Sequence, residues 1–256
     1  MKIEGKHIVI TGASSGIGKS LVELLSACEG VKIVGAARRS ELIPTKEGIV
    51  FPVSADVSTQ DGVDELFSFA LERLGHIDIF IANAGFAYAE KLEKPDWKHI
   101  SDIFNLNVFS PIYSLEKFAR LASSRQTQFV TLISAVAYFP LPAYALYCST
   151  KSALRQFFEA YCYEKENNLT ISNVYPVATR TEFFKNAASG SVSLPSLSQD
   201  ADTVAKRIMK GIERNRRDIY PSLIFRVFLP IARAFPFLIR IYSLNERRKM
   251  SFLLDP

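Results

Sequence analysis

Apolar residues follow two rhythms along residues 1–176. Solid runs cover 7–11 (HIVIT), 31–37, 49–57, 77–85, 128–135 and 169–176. These runs are short, rich in Val, Ile and Phe, and bounded by Gly, Asn, Asp or Pro, which predicts six buried strands. Between them, apolar positions recur three and four residues apart. Leu21, Leu24, Leu25 and Cys28 do so within 18–28, and helices are expected over 60–74, 97–122 and 144–167. Strands alternating with helices of ten or more residues form βαβ units, with a parallel sheet covered on both faces. Right-handed crossovers then favour a single, doubly wound α/β domain.

The rhythm weakens past Pro176. NAASGSVSLPSLSQD (186–200) is small and polar and reads as a flexible loop, within a lid expected over 182–200. Residues 201–215 read as an amphipathic helix capped by Asp200 or Asp202. From 223 the pattern changes again. Arg226, Arg233, Arg240 and Arg247 recur every seven residues, with Leu, Ile, Val and Phe between them. On one helix such a repeat drifts only ~20° per step, giving a single arginine stripe. Pro230 and Pro236 would break or kink that helix. The expected organisation is therefore a domain over 1–222 and an amphipathic extension over 223–256. For the segment 223–249 three roles stay open: lying in a membrane interface, folding over a cleft, or packing against a second subunit.

Composition adds limits. With 48% hydrophobic residues in 256, the chain can bury a substantial core. The net charge of +5 is uneven: residues 1–200 hold 19 Lys and Arg against 21 Asp and Glu, and residues 201–256 hold 12 against 5. The basic character belongs to the tail, which argues against nucleic-acid binding by the body of the protein. Cys28, Cys148 and Cys162 lack paired spacing, so neither a disulfide framework nor a zinc site is expected, and the compartment should be reducing. The N-terminus lacks a signal-peptide pattern, and no run reaches the ~18 apolar residues of a membrane span. The expected location is the cytoplasm, with a peripheral membrane position as an option for the tail.

Two short motifs carry chemistry. TGASSGIG (Thr11–Gly18) follows the first strand and opens the first helix. Gly12, Gly16 and Gly18 allow a tight turn and close approach, and the helix start behind Ser14, Ser15 and Ile17 offers amides to a diphosphate. YCSTK (Tyr147–Lys151) sets a phenol and an ammonium four residues apart, on one face of a helix. A nearby ammonium is expected to lower the tyrosine pKa towards the working pH of a general acid or base.

The spacing T-G-x3-G-x-G resembles the short-chain dehydrogenase/reductase family, and further motifs match in order over nearly all of residues 7–181. Asp56 and Val57 of ADV resemble the adenine contact. Asn83, Ala84 and Gly85 resemble the family's NAG after the fourth strand. Asn107 in NVFSP matches the catalytic asparagine, with Ser110 where glycine is usual. Ser134 stands thirteen residues before Tyr147, and Tyr147-x3-Lys151 is the active-site motif. Pro176 and Thr181 of PVATRT match the segment after the sixth strand, with Val177 replacing glycine. The resemblance implies a Rossmann-type NADP(H)-binding catalytic domain and hydride transfer between a nicotinamide and a carbonyl or alcohol. Tyr147 would move the proton, Lys151 would bond the nicotinamide ribose, Ser134 would hold the substrate oxygen, and Asn107 would anchor a water relay. It also implies a homodimer or homotetramer built on helices 97–122 and 144–167, and needs no metal.

NAD-binding folds usually carry an acid at the end of the second strand to bind the ribose 2′-hydroxyl. Here Arg38 and Arg39 follow Ala37, with no acid before Glu41. An arginine fork suits a 2′-phosphate, so NADP(H) is expected, with Arg38 first and Arg39 and Ser40 beside it. The tail and the lid residues Phe183, Phe184 and Leu194 point to a hydrophobic substrate. The other readings are a non-catalytic dinucleotide sensor on the same fold, or a peripheral membrane protein whose tail is its main function.

Overall fold

The computed structural model describes residues 1–121, 125–187 and 198–254. The first strand, β1, spans His7–Thr11, followed by α1 (Gly16–Leu25), β2 (Lys32–Ala37), β3 (Val50–Ser54), α2 (Gln60–Leu74) and β4 (Ile79–Ala82). Then come α3 (Trp97–Phe104), a π turn at Asn105–Phe109, α4 (Ser110–Leu121), β5 (Thr127–Leu132), α5 (Ala145–Tyr161) and β6 (Leu169–Val174). Short strands β7 (Thr179–Arg180) and β8 (Gln199–Asp200) bracket α6 (Glu182–Ala187). The chain ends in α7 (Ala201–Glu213), β9 (Asp218–Ile219), α8 (Leu223–Ala234), α9 (Pro236–Lys249) and α10 (Ser251–Leu254).

The main sheet has seven parallel strands in the order β3-β2-β1-β4-β5-β6-β9. The strand period of two sorts side chains to its faces. Ile8 and Ile10 of β1, with Ile79 and Ile81 of β4, pack with Leu21, Val22 and Leu25 of α1 and Val204, Ile208 and Ile212 of α7. Val9, Phe80 and Phe129 point the other way, to Leu66 and Phe67 of α2, Leu115 and Phe118 of α4, and Leu154 and Phe158 of α5. Order reverses between β1 and β4, so the crevice at their carboxyl ends is the switch point where such sheets take ligands.

The structure differs from the sequence reading at element ends. The runs 49–57 and 77–85 contain shorter strands, because their apolar flanks (Ala55, Val57, Ile77) are buried in the connections rather than in the sheet. The helix expected over 97–122 is interrupted by the π turn, and that over 144–167 stops at Tyr161, where apolar spacing gives way to polar residues. β9, two residues long, has no run to announce it. Asp200 caps α7, accepting from the Thr203 amide at 3.3 Å. In the tail, Pro236 begins α9 and Phe235 leaves helical geometry, so the expected single arginine stripe is divided between two helices. Pro230 is accommodated inside α8, where its missing N–H leaves the Arg226 carbonyl without its helical donor.

Candidate active site

Close packing explains the glycine turn. The Thr11 hydroxyl accepts from the amides of Asn83 and Ala84 at 3.1 and 3.0 Å. Asn83 Nδ2 returns bonds to the carbonyls of Thr11 and Gly12 at 2.9 and 3.1 Å. The ends of β1 and β4 are thus clamped together. Gly12 has φ of 66°, and a Cβ there would lie 2.8 Å from Asn83 Nδ2. One at Gly18 would collide with the Gly12 carbonyl, and one at Gly16 would press on Thr181 Cγ2 at 3.0 Å. Ser15, the α1 N-cap, makes no side-chain cap bond. The amides of Gly16, Ile17 and Gly18, beside the exposed Ser15 and half-buried Ser14, therefore lack that partner and can receive an anion.

Arg38 and Arg39 are exposed just past β2, and among the described residues neither is in an ion pair. Asp56 is exposed past β3, with Oδ1 accepting from the Ser58 amide and hydroxyl at 3.1 and 2.7 Å, and Val57 beside it is buried. These residues stand at neighbouring strand ends, and no hydrogen bond among the described residues joins their side chains to the glycine turn.

The catalytic candidates meet on the far side of the crevice. Tyr147 and Lys151 share a face of α5, with Lys151 Nζ 5.7 Å from the tyrosine ring centroid. Nζ donates to the Leu132 carbonyl at 2.9 Å. The Ser134 hydroxyl lies close enough to the Tyr147 phenol to favour its ionised form. Ser134 has φ of 151° and ψ of 157°, a region nearly reserved for glycine that costs about 1–3 kcal/mol. It is held there because the Ile133 and Ala135 amides on either side bond Val174 and Pro176 carbonyls at 2.8 and 2.9 Å. Pro176 is thereby placed beside Ser134, whose hydroxyl also reaches its carbonyl at 3.5 Å. Asn107, in the π turn, is buried. Its amide donates to the Phe86 carbonyl at 2.8 Å and to Thr150 Oγ1 at 3.1 Å, and its Oδ1 accepts from the Phe86 amide at 3.0 Å. Both amide hydrogens are thus engaged by protein, so within the side chain only the second Oδ1 lone pair is left to hold the expected water. Gly85 fits against this pair: a Cβ would lie 3.0 Å from Asn107 Oδ1 and 3.6 Å from Lys151 Nζ.

Electrostatics correct one expectation. Burial, opposed by the nearby Ser134 hydroxyl, pushes the Tyr147 phenol above its ordinary value rather than below it. Burial also lowers Lys151 to about 8. Desolvation penalises the charged form of each, so each is driven towards neutrality. The phenol keeps its proton.

The wall facing Tyr147 is apolar. Its ring lies 5.5 Å from that of Phe183 on α6, and Ala87, Ile103, Tyr144 and Ala187 join the same cluster. Met250, Leu253 and Leu254 complete it from the far end of the chain. β7 pairs with β8 at the base of the expected lid. Leu194 and the side chain of Phe184 lie outside the described residues. Sequence reasoning missed Thr150, although it sits within YCSTK one turn from Tyr147. It also missed Met250, Leu253 and Leu254, for which no local signal exists.

The model of the short chain dehydrogenase family matches residues 6–191. The chain belongs to that family. It is an oxidoreductase on this ground, and an uncharacterized oxidoreductase of Staphylococcus saprophyticus is 32% identical over 219 residues, 81% of this chain and 86% of that protein. A short chain dehydrogenase of Burkholderia cenocepacia, solved with NADP, superposes with a TM-score of 0.82 at 22% identity, over 95% of this chain and 99% of that one. A family member from Burkholderia phymatum, solved with NAD, gives 0.79 at 21% identity, over 93% and 96%. These two likenesses bear on the fold.

Proposed function

We propose that this protein reduces an apolar ketone with NADPH, and oxidises the corresponding secondary alcohol in reverse. The observation that carries this reading is the placing of Ser134 beside the Tyr147 phenol, with Lys151 buried behind the ring and an apolar wall in front. When bound, the nicotinamide supplies or accepts the hydride. The glycine turn and Lys151 would hold the dinucleotide, with Pro176 and Thr181 flanking it and Asn83, Ala84 and Gly85 lining it. Ser134 positions the substrate oxygen, and Tyr147 donates the proton that the reduced carbonyl needs. A charged Lys151 stabilises the tyrosinate left behind. A dinucleotide sensor would have no need for Asn107, Ser134, Tyr147 and Lys151 together, which favours the enzyme. A homodimer or homotetramer through α4 and α5 is the assembly the family resemblance implies.

The test is NADPH oxidation over a panel of ketones of rising chain length, in which activity should climb with apolar length; no turnover of any member would reject the reading. The exposed Arg38 supports NADP(H) over NAD(H). Arg38→Ala should raise KM for NADPH by about 10–100-fold, the worth of a charge-assisted bond, while KM for NADH barely moves. An unchanged NADPH/NADH preference would refute the assignment.

The lowered lysine also sets a pH profile. Lys151 is charged below about 8 and neutral above it. Only the ammonium stabilises tyrosinate, so kcat/KM for reduction should fall through a single ionisation near that pH as pH rises. A profile flat through pH 9–10 would show that the lysine charge is not needed.

A further inference from the structure

α8 and α9 are apolar on two sides. Their inner side is ordinary core: Phe225, Leu229 and Ala232 of α8 are buried, with Phe225 against the rings of Tyr138 and Phe139. The outer side is not polar in compensation. Ile224, Val227 and Ile231 project from α8 on the side away from the core, with Val227 68% exposed. Phe237, Ile241 and Leu244 do the same from α9, with Phe237 58% exposed. At the break between the helices, the Phe235 and Phe237 rings touch, centroids 6.1 Å apart, so the apolar strip continues through it. A surface helix normally turns polar residues to water, and a run of exposed apolar side chains marks a contact surface.

The strip is flanked by cations. Arg226 and Arg233 of α8 and Arg240 and Arg248 of α9 are all exposed. Residues 223–254 contain six Lys and Arg and one acid, Glu246, which is buried and takes Lys249 Nζ at 2.5 Å. We propose that this face docks the protein on a bilayer surface containing anionic lipid, with the apolar strip at the acyl boundary and the arginines at the phosphates. Pairing with a second copy fits less well. A two-fold contact would set one arginine-flanked strip against another, with no exposed acid on either to match. Among the described residues no helix is long and apolar enough to cross a membrane, so the helices would lie in the surface. α9 leads through Met250 into α10, whose Leu253 and Leu254 pack in the cluster around Tyr147. One run of chain therefore joins the docking face to the apolar cluster around Tyr147.

Co-sedimentation of the full chain with vesicles tests this. Phosphatidylcholine vesicles containing phosphatidylserine should pellet the protein at low salt, and phosphatidylcholine alone should pellet little. Val227→Glu with Ile231→Glu should abolish pelleting. Arg226→Gln with Arg240→Gln should weaken partitioning on the order of twentyfold, at about fivefold per arginine. Unchanged thermal unfolding in both variants shows that they fold. No pelleting with anionic vesicles overturns the proposal, as does equal pelleting with neutral ones. A lipid-free dimer that the Val227→Glu, Ile231→Glu pair splits, without lipid binding by the wild type, assigns the face to a second copy and overturns it too. None of these readouts depends on turnover, so the docking face can fail while the reductase reading stands.

Discussion

Tyr147→Phe is expected to lower kcat for ketone reduction by about 10²–10⁴-fold, the usual worth of a positioned general acid, with little change in KM for NADPH. The substitution removes one oxygen from a packed ring. The ring keeps its place against Phe183 at 5.5 Å, and α5 keeps its core face through Leu154 and Phe158. Ser134 keeps its contacts to the Val136 amide at 3.3 Å and the Pro176 carbonyl at 3.5 Å. Stability should therefore move by less than about 1 kcal/mol, a lost neutral hydrogen bond at most. Single-turnover measurement of NADPH oxidation with the best ketone of the panel, beside a thermal melt, separates the two effects. A variant that folds and turns over at the wild-type rate would take Tyr147 out of the chemistry.

Much of this arrangement was legible in the sequence, for definable reasons. Gly12, Gly16 and Gly18 were readable because only glycine permits the turn and the helix–strand approach that the Asn83 clamp enforces. Tyr147 and Lys151 were readable because the helical repeat puts i and i+4 together. The parallel sheet with helices on both faces followed from the alternation of solid runs and spaced ones. What was not legible depended on distance and on solvent. The phenol pKa moved opposite to expectation because a pairwise argument sees the ammonium and not the burial of both partners. Asn107 was placed in the site, but its bonds to Phe86 and Thr150 follow from a π turn, which a periodic reading takes for continuous helix. Met250, Leu253 and Leu254 reach the Tyr147 cluster across a hundred residues. The preceding helix bonds the body of the fold through Ser243 Oγ, which donates to the Pro140 carbonyl at 2.9 Å, and neither residue has a motif around it.

Lys151→Met is expected to abolish most activity and yet stabilise the protein. Lys151 is 5% exposed, and burial lowers its pKa from 10.5 to about 8. The folded value lies below the unfolded one, so between these values the unfolded chain binds more protons, and stability rises with pH across that window. Below about 8 the penalty for holding the ammonium in the fold is fully present, at about 3 kcal/mol by the usual conversion. Methionine has similar length, fills the same slot and carries no charge. It also gives up the bond to the Leu132 carbonyl at 2.9 Å, which returns about 1 kcal/mol. The net expectation at neutral pH is a gain of about 2 kcal/mol, or roughly 4–8 °C in Tm for a chain of this size. The gain should fade as pH rises towards 10.5 and vanish well above it, where the wild-type lysine is neutral in both states. Activity moves the other way: without the ammonium the tyrosinate formed on proton donation is uncompensated in a buried site, and dinucleotide affinity falls with it. Melts at both pH values, set beside kcat, read out the two arms. A Met variant less stable than wild type at neutral pH would mean that water reaches Nζ in solution, and the buried-ammonium account of the site would have to be given up.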